Sequence, residues 1–380
     1  MNTVFFAARK IHQTYFSKLA NLLPDSEVIY YKHLFLPSFC AIPFYKIKQI
    51  VKLHLDEKKN SVKRRHASAL YWKIFTFIKQ LEASWLYLVY KRGLIKAEAK
   101  KLIIWNGLKY RQMIVVAAAE SLSADCIFME NGLLPGFTTL DPQGVNFLNS
   151  APRNADFYRS YKSLKKNDYL ESYNSALEQN HIEKEHPPEV LPDSYVFIPF
   201  QVNTDSQITR FSPWIKDMYG LVDKLAETAH LLGNKSPTFV FKTHPACPEN
   251  YDALASKYKK NSSIRILIDN ALTTQQLIQH ADAVITINST VGIESLLIDK
   301  KVIILGQAFY NIEGMTLEAQ SVEELAQALL SIDNWQPELH LRDNFFRYLA
   351  HEYQVPGRWQ ESTPEHLNET VNRIEQLRDI

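Results

Sequence analysis

The chain is poor in the features that announce common chemistries. Its three cysteines, Cys40, Cys126 and Cys247, are far apart among 380 residues and form no CxxC or zinc spacing. A disulfide framework and a structural zinc site are therefore excluded, and a reduced, cytoplasmic protein is expected. No apolar run reaches the roughly 18 residues of a membrane span, and the opening MNTVFFAARK is too short in its apolar part for a secretory leader. The formal net charge is only +2, which argues against a general nucleic-acid binder. There is no GxGxxG, no Walker loop and no DxD, so a P-loop nucleotide and a metal-bridged diphosphate are not expected. Neither a metal nor a cofactor is expected.

What is present is an alternation of strands and helices in two series. In the first, strands are predicted at Val4–Ala7, Glu27–Tyr31, Lys101–Trp105 and Asp125–Met129, with helices at Ile11–Leu23 and Arg111–Leu122. Residues 44–101 form a basic, aromatic helical insertion. Its lysines and arginines read either as solvated faces or as a surface resting on an anionic membrane. A polar helix over Tyr158–Glu185 and a proline-rich linker at His186–Pro192 follow. The second series has strands at Tyr195–Pro199, Thr238–Phe241, Ile264–Ile268, Ala283–Ile287 and Lys301–Leu305. Helices are predicted at Trp214–Leu232, Thr274–His280 and Val291–Ile298. The expected organisation is an N-terminal Rossmann-like domain (1–188), a C-terminal one (189–340) and a helical tail (341–380). Such parallel sheets bind ligands at their carboxyl strand ends.

The chemistry-bearing residues fall at those ends. In FMENGLLPGFTTLDPQGVN, Glu130 closes a strand; Asp141 either orders the following loop or touches a ligand. FIPFQVNTDSQI places Gln201 and Asp205 after a strand, where an aspartate is ordinarily a turn former or cap. FVFKTHP puts His244 after another strand, as a phosphate donor or a strand cap. In AVITINSTVGIESLL, Ser289 and Thr290 open a helix whose free amides and dipole suit an anion. Glu294 lies one turn further, on the ribose side of such a phosphate. Trp105, Asn106 and Gly107 occupy a neighbouring strand end and can line a pocket, and Arg153 suits a donor carboxylate or a surface ion pair. Two carboxylates from opposite walls of one cleft serve glycosyl chemistry.

ENGLLP, TTLDPQGVN, QVNTDSQI, KTHP and INSTVGIESLLIDKKVIILGQAFY together resemble the bacterial capsular polysaccharide synthesis family, over about residues 100–315. That family holds retaining β-Kdo transferases and related pseudaminic acid transferases. The resemblance implies a GT-B fold, two Rossmann-like domains facing each other across a cleft, and a CMP-activated 3-deoxy-ulosonic acid as donor. It implies Asp205 as the nucleophile and Glu130 as the acid/base. It assigns the CMP phosphate to His244, Ser289 and Thr290, and the ribose to Glu294; Gln201 and Asn106 are further donor-side candidates. Thr243 and Thr290 depart from the proline and second serine frequent there. The acceptor is expected to be a glycan or glycolipid, with peripheral association at the inner face of the cytoplasmic membrane. A GT-B enzyme using a UDP-sugar and a non-catalytic assembly scaffold remain as alternatives.

Overall fold

The computed structural model describes residues 2–33, 35–61, 64, 66–162, 173, 191–245, 247–267 and 272–377. The linker expected at 186–192 and the helix expected at 158–185 lie mostly outside them, as does Ile268 at the end of an expected strand.

The chain opens with β1 (Thr3–Ala7), α1 (Lys10–Ala20), β2 (Ser26–Tyr30), α2 (Phe44–Lys59), α3 (Ala69–Lys96), β3 (Lys101–Trp105), α4 (Tyr110–Glu120), β4 (Asp125–Asn131), β5 (Phe137–Asp141) and α5 (Ala155–Ser160). It continues with β6 (Val196–Pro199), α6 (Ser206–Phe211), α7 (Met218–Leu232), β7 (Phe239–Lys242), α8 (Asp252–Tyr258), β8 (Ile264–Leu267) and α9 (Thr274–His280). Then come β9 (Ala283–Thr286), α10 (Val291–Leu297), β10 (Lys301–Ile304), β11 (Leu317–Glu318), α11 (Val322–Ser331), α12 (Leu339–Tyr348), β12 (Gln354–Pro356) and α13 (Pro364–Gln376).

These elements form two compact units: Met1–Lys59, Lys63–Ala151 and Tyr353–Ile380 make the first, and Asn60–Val62 with Pro152–Glu352 the second. The first holds a six-stranded sheet in the order β12-β5-β4-β3-β1-β2. Its β1–β4 pair in parallel, whereas β5 and β12 are antiparallel additions at one edge. A purely parallel sheet was expected. Phe137–Asp141 lies in a glycine- and proline-rich stretch that reads as loop, yet it turns back along β4 as a hairpin. The second unit holds a sheet ordered β11-β10-β9-β6-β7-β8, parallel at every pairing. In chain order this is the 3-2-1-4-5-6 arrangement of a dinucleotide-binding sheet. The central strands β1, β3, β6, β7 and β9 are buried along their whole length, as strands covered on both faces must be.

The expected helical tail is divided. Helix α12 stays with the second unit, where Asn344 donates to the Tyr158 carbonyl at 2.8 Å and Arg159 pairs with Glu338 at 2.6 Å. From Tyr353 the chain belongs to the first unit. There Val355 pairs with Thr138 in β5, and His366 of α13 meets the Tyr15 hydroxyl of α1 at 2.9 Å. The boundary expected at 341 thus differs from the units, because a short strand in the tail completes the first sheet, and the second unit takes in the chain from Pro152 rather than from 189.

The basic insertion contributes two helices. The C-terminal half of α3 buries Leu86, Tyr90 and Leu94 against the first unit. Its N-terminal half presents Leu70, Ile74, Phe77, Ile78 and Leu81 to solvent, all more than half exposed. Among the described residues no helix is long and apolar enough to cross a membrane.

Candidate functional site

Glu130 is the penultimate residue of β4, where its Oε2 accepts from the Asn106 amide at 2.7 Å and its Oε1 from the Asn131 backbone at 3.0 Å. Asn106 directly follows β3 in the left-handed backbone region (φ 64°), a conformation asparagine tolerates better than most residues. Its Oδ1 takes the Leu108 amide at 3.0 Å, which leaves the Nδ2 aimed at Glu130. Gly107, at φ 80°, has no room for a side chain, since a Cβ would come within 2.4 Å of the Phe128 ring. Asn106 was expected to line an acceptor or donor pocket, as a donor-side candidate. The structure makes it the holder of the Glu130 carboxylate.

Both residues line a recess of about 770 Å³ in the first unit. It opens over the carboxyl ends of β1 and β3, the place where the strand order reverses and where sheets of this kind bind ligands. Its floor is aromatic. His12 stacks on Trp105 with centroids 4.7 Å apart, and Trp359 packs on Trp105 at 4.5 Å. The Trp359 indole donates to Asn131 at 2.8 Å, so the returning tail clamps the residue next to Glu130. Sequence reasoning missed His12, His54 and Trp359. The last two lie in stretches that carry no recognisable motif, and only the β12 pairing brings Trp359 here.

Asp141 is fully buried and structural. Its carboxylate accepts from the Gln143, Gly144 and Ser150 amides and the Ser150 hydroxyl at 2.7–3.0 Å, and from the Tyr353 hydroxyl at 2.5 Å.

In the second unit, β9, β6 and β7 are neighbours, and each delivers a candidate at its carboxyl end. Asp205 follows β6, Ser289 and Thr290 follow β9, and His244 follows β7. The strand order reverses between β6 and β9, which places Asp205 and Ser289 on the two sides of that switch point. Asp205 is exposed and caps α6. Its Oδ1 takes the Gln207 amide at 2.9 Å, while its Oδ2 makes no hydrogen bond among the described residues. A carboxylate held by one oxygen keeps the other available for attack. His244 is exposed and borders a cavity of about 300 Å³.

The Ser289 hydroxyl accepts from the Val291 amide at 3.2 Å, and the Ser289 amide donates to Thr286 at 3.2 Å. Thr290 is exposed and makes no side-chain cap. The glycine in this motif has a steric cause. A Cβ on Gly292 would lie 2.4 Å from the Tyr310 hydroxyl, which donates to the Ser289 carbonyl. Glu294 is half-buried, and burial raises its carboxyl above the usual range. No hydrogen bond reaches that carboxylate among the described residues, so a ligand hydroxyl there would find an acceptor.

Gln201 follows β6, as expected. It is buried and exchanges hydrogen bonds with Asn288, its Nε2 donating at 3.0 Å and its Oε1 accepting at 3.3 Å. Asn288 in turn donates to the Gln207 and Phe211 carbonyls at 3.0 and 3.1 Å. This pair fixes the Ser289 turn to the helix that Asp205 caps. Arg153 sits over the Phe309 ring at 5.7 Å.

A model of the capsule polysaccharide biosynthesis protein family matches residues 161–359. Protein FixF of Sinorhizobium fredii is 32% identical over 306 residues, covering 80% of this chain and 73% of that protein. The capsule polysaccharide export protein KpsS of Escherichia coli is 27% identical over 281 residues, covering 60% of this chain and 70% of that protein. Among solved structures, the β-Kdo 2,7 transferase part of Thermosulfurimonas dismutans KpsC superposes with a TM-score of 0.51 at 15% identity, covering 100% of both chains. At that identity the likeness speaks for the fold, a GT-B-like one with two Rossmann-like domains. With more than half of its length matched by the family model and a relative aligned over most of both chains, this protein belongs to the capsule polysaccharide biosynthesis family.

Proposed function

We propose that the chain is a retaining glycosyltransferase. It moves a 3-deoxy-ulosonic acid, Kdo or a nonulosonic acid such as pseudaminic acid, from its CMP-activated form to a glycan or glycolipid acceptor in surface polysaccharide synthesis. The observation that carries this reading is the edge of the second sheet. Three adjacent parallel strands there present a carboxylate with one uncommitted oxygen, a histidine and a serine turn, in a family member.

In this reading the second unit binds the donor and the first the acceptor. His244 and the Ser289–Thr290 turn stabilise the CMP phosphate as it leaves, and Glu294 takes the ribose. Asp205 attacks the anomeric carbon from the opposite face and forms a covalent glycosyl adduct. Glu130, oriented by Asn106, then removes the proton of the acceptor hydroxyl, which displaces Asp205. Two inversions give net retention. No metal is required, since the leaving group is a phosphate monoester.

The test is a donor panel of CMP-Kdo, CMP-pseudaminic acid and UDP-sugars, with product linkage read by NMR. Transfer from a CMP-ulosonic acid with retention supports the reading. Binding and turnover of a UDP-sugar instead of CMP donors overturns it. Trapping an adduct on Asp205 in a Glu130→Gln variant, seen as a mass increase, would establish the two-step path.

A membrane-linked acceptor is favoured by one further observation. The solvent-facing stripe of α3 is apolar at helical spacing, and Lys73 lies exposed within it. Sedimentation with anionic vesicles, lost in an Ile74→Glu/Phe77→Glu variant, checks this; equal binding of that variant rejects it.

A further inference from the structure

The recess beside Glu130 carries a positive excess that the transfer reaction does not use. Six cations line it: Arg9, Lys58, Arg64, Lys79, Lys109 and Arg111. Three carboxylates stand against them, Glu57, Glu82 and Glu130. Glu82 is shared by Lys79 and, at 3.8 Å, by Arg111; Glu57 is 4.0 Å from Lys109. Arg9, Lys58 and Arg64 make no ion pair among the described residues.

The cations are gathered by the helical insertion and α4. Helix α2 supplies His54 and Lys58, α3 supplies Phe75 and Lys79, and Lys109 stands at the start of α4. The aromatic rings fix their heads. Arg64 lies 5.0 Å from the centre of Phe75, Lys79 lies 5.1 Å from that of Tyr110, and His54 packs on Tyr110 at 4.5 Å. Solvated lysines on a helix face would point apart; these converge on one concave space.

We propose that this end of the recess is an anion subsite of the acceptor. It holds a phosphate or carboxylate among Lys58, Arg64, Lys79 and Lys109, with the hydroxyl to be glycosylated at Glu130. The assignment of Glu130 rests on the function proposed above; the anion site does not. His54 reports the same field. Burial first, then Lys58, Lys79, Arg64 and Lys109, push its pKa down to about 4. A potential that repels a proton attracts an anion.

The probe is inorganic phosphate on the full chain, followed by calorimetry at neutral pH and by histidine-selective NMR under mildly acidic conditions. Phosphate should bind saturably and raise the titration midpoint of His54, identified by its loss in His54→Gln, while chloride at equal ionic strength should not. Lys79→Gln with Lys109→Gln should weaken phosphate about tenfold or more, and Lys48→Gln, on the exposed part of α2, should leave it unchanged. Unfolding midpoints keep loss of fold distinct from loss of site. Glucose 6-phosphate, glucuronate and a short-chain phosphatidic acid then separate a sugar phosphate, a sugar acid and a lipid headgroup as sources, with glucose as the neutral control. The proposal falls if phosphate acts no differently from chloride, or if the double variant binds it as the parent does. If phosphate binds as expected but no CMP-ulosonic acid is turned over, the subsite stands and the reaction fails.

Discussion

The two sheets assemble their candidate sites by opposite routes. In the second unit each candidate follows its strand by a few residues: Asp205 after β6, His244 after β7, Ser289 after β9. In the first unit Ala8 and Arg9 follow β1, Asn106 follows β3, and Glu130 lies at the end of β4 itself. Much of the rest of that recess comes from α1, α2, α3, α4 and the tail, so Arg9 and Gln360 border one space. An edge built from strand ends is written as short motifs. A recess built from packed helices is written nowhere in one place.

The sharpest way to break this comparison is to remove the chemistry from each edge. Asp205→Ala should lower transfer by about 10³-fold or more while CMP binding holds. Its Oδ1 bond to the Gln207 amide is a helix cap, so the same variant also loses about 1 kcal/mol of stability. A variant with the cap lost but turnover intact would leave Asp205 as a cap and nothing more.

The next effect belongs to the first unit alone. Asp141→Ala removes the acceptor of the bonds from Gln143, Gly144 and Ser150, and of the one that ties this segment to Tyr353. The expected loss is about 3 to 5 kcal/mol in chemical denaturation. Donor binding should survive wherever the chain still folds, because Asp141 and the donor edge belong to different units.

Acid sharpens the contrast. Burial is the main cause that pushes both His12 and His54 down to about 4. Each is neutral in the fold, and the unfolded chain takes up protons first. Stability is therefore full above about pH 6.5 and is lost as pH falls toward 4, by roughly 3 kcal/mol for each ring. Denaturation midpoints measured across that window should flatten in His12→Gln and His54→Gln variants. An unchanged slope would mean that neither ring is held neutral.

Much of this architecture was legible before any coordinates. Period-2 and buried apolar runs located β1, β3 and β6–β10 within a residue or two, since a strand covered on both faces must be apolar throughout. The missing pieces of the first sheet were the antiparallel β5 and the short edge strand β12. Phe137–Asp141 sits among glycine and proline, and β12 is only three residues long, so neither has enough period to read. Without β12 the tail looked like an appendage, and Trp359 could not be placed beside Asn131. Gln201 shows another kind of ambiguity. Position after a strand fits both a ligand contact and a loop brace, and its buried exchange with Asn288 shows the brace.

Gly292 gives the smallest and most local test, and it concerns why the motif of the second sheet has the residues it has. The Tyr310 hydroxyl holds the Ser289 carbonyl, and its ring occupies the space where a Cβ at position 292 would lie. Gly292→Ala should therefore cost about 1 to 3 kcal/mol by overpacking and displace the Ser289 turn. Tyr310→Phe removes the hydroxyl that the new methyl would strike, at the cost of its bond to Ser289. The two changes share one contact, so the double variant should be less destabilised than the sum of the singles by about 0.5 kcal/mol or more. CMP affinity should follow the same non-additive pattern if the turn binds the phosphate. Additive losses in stability would show that the ring does not dictate the glycine; non-additive stability with unchanged CMP affinity would keep the packing and remove the turn from the donor site.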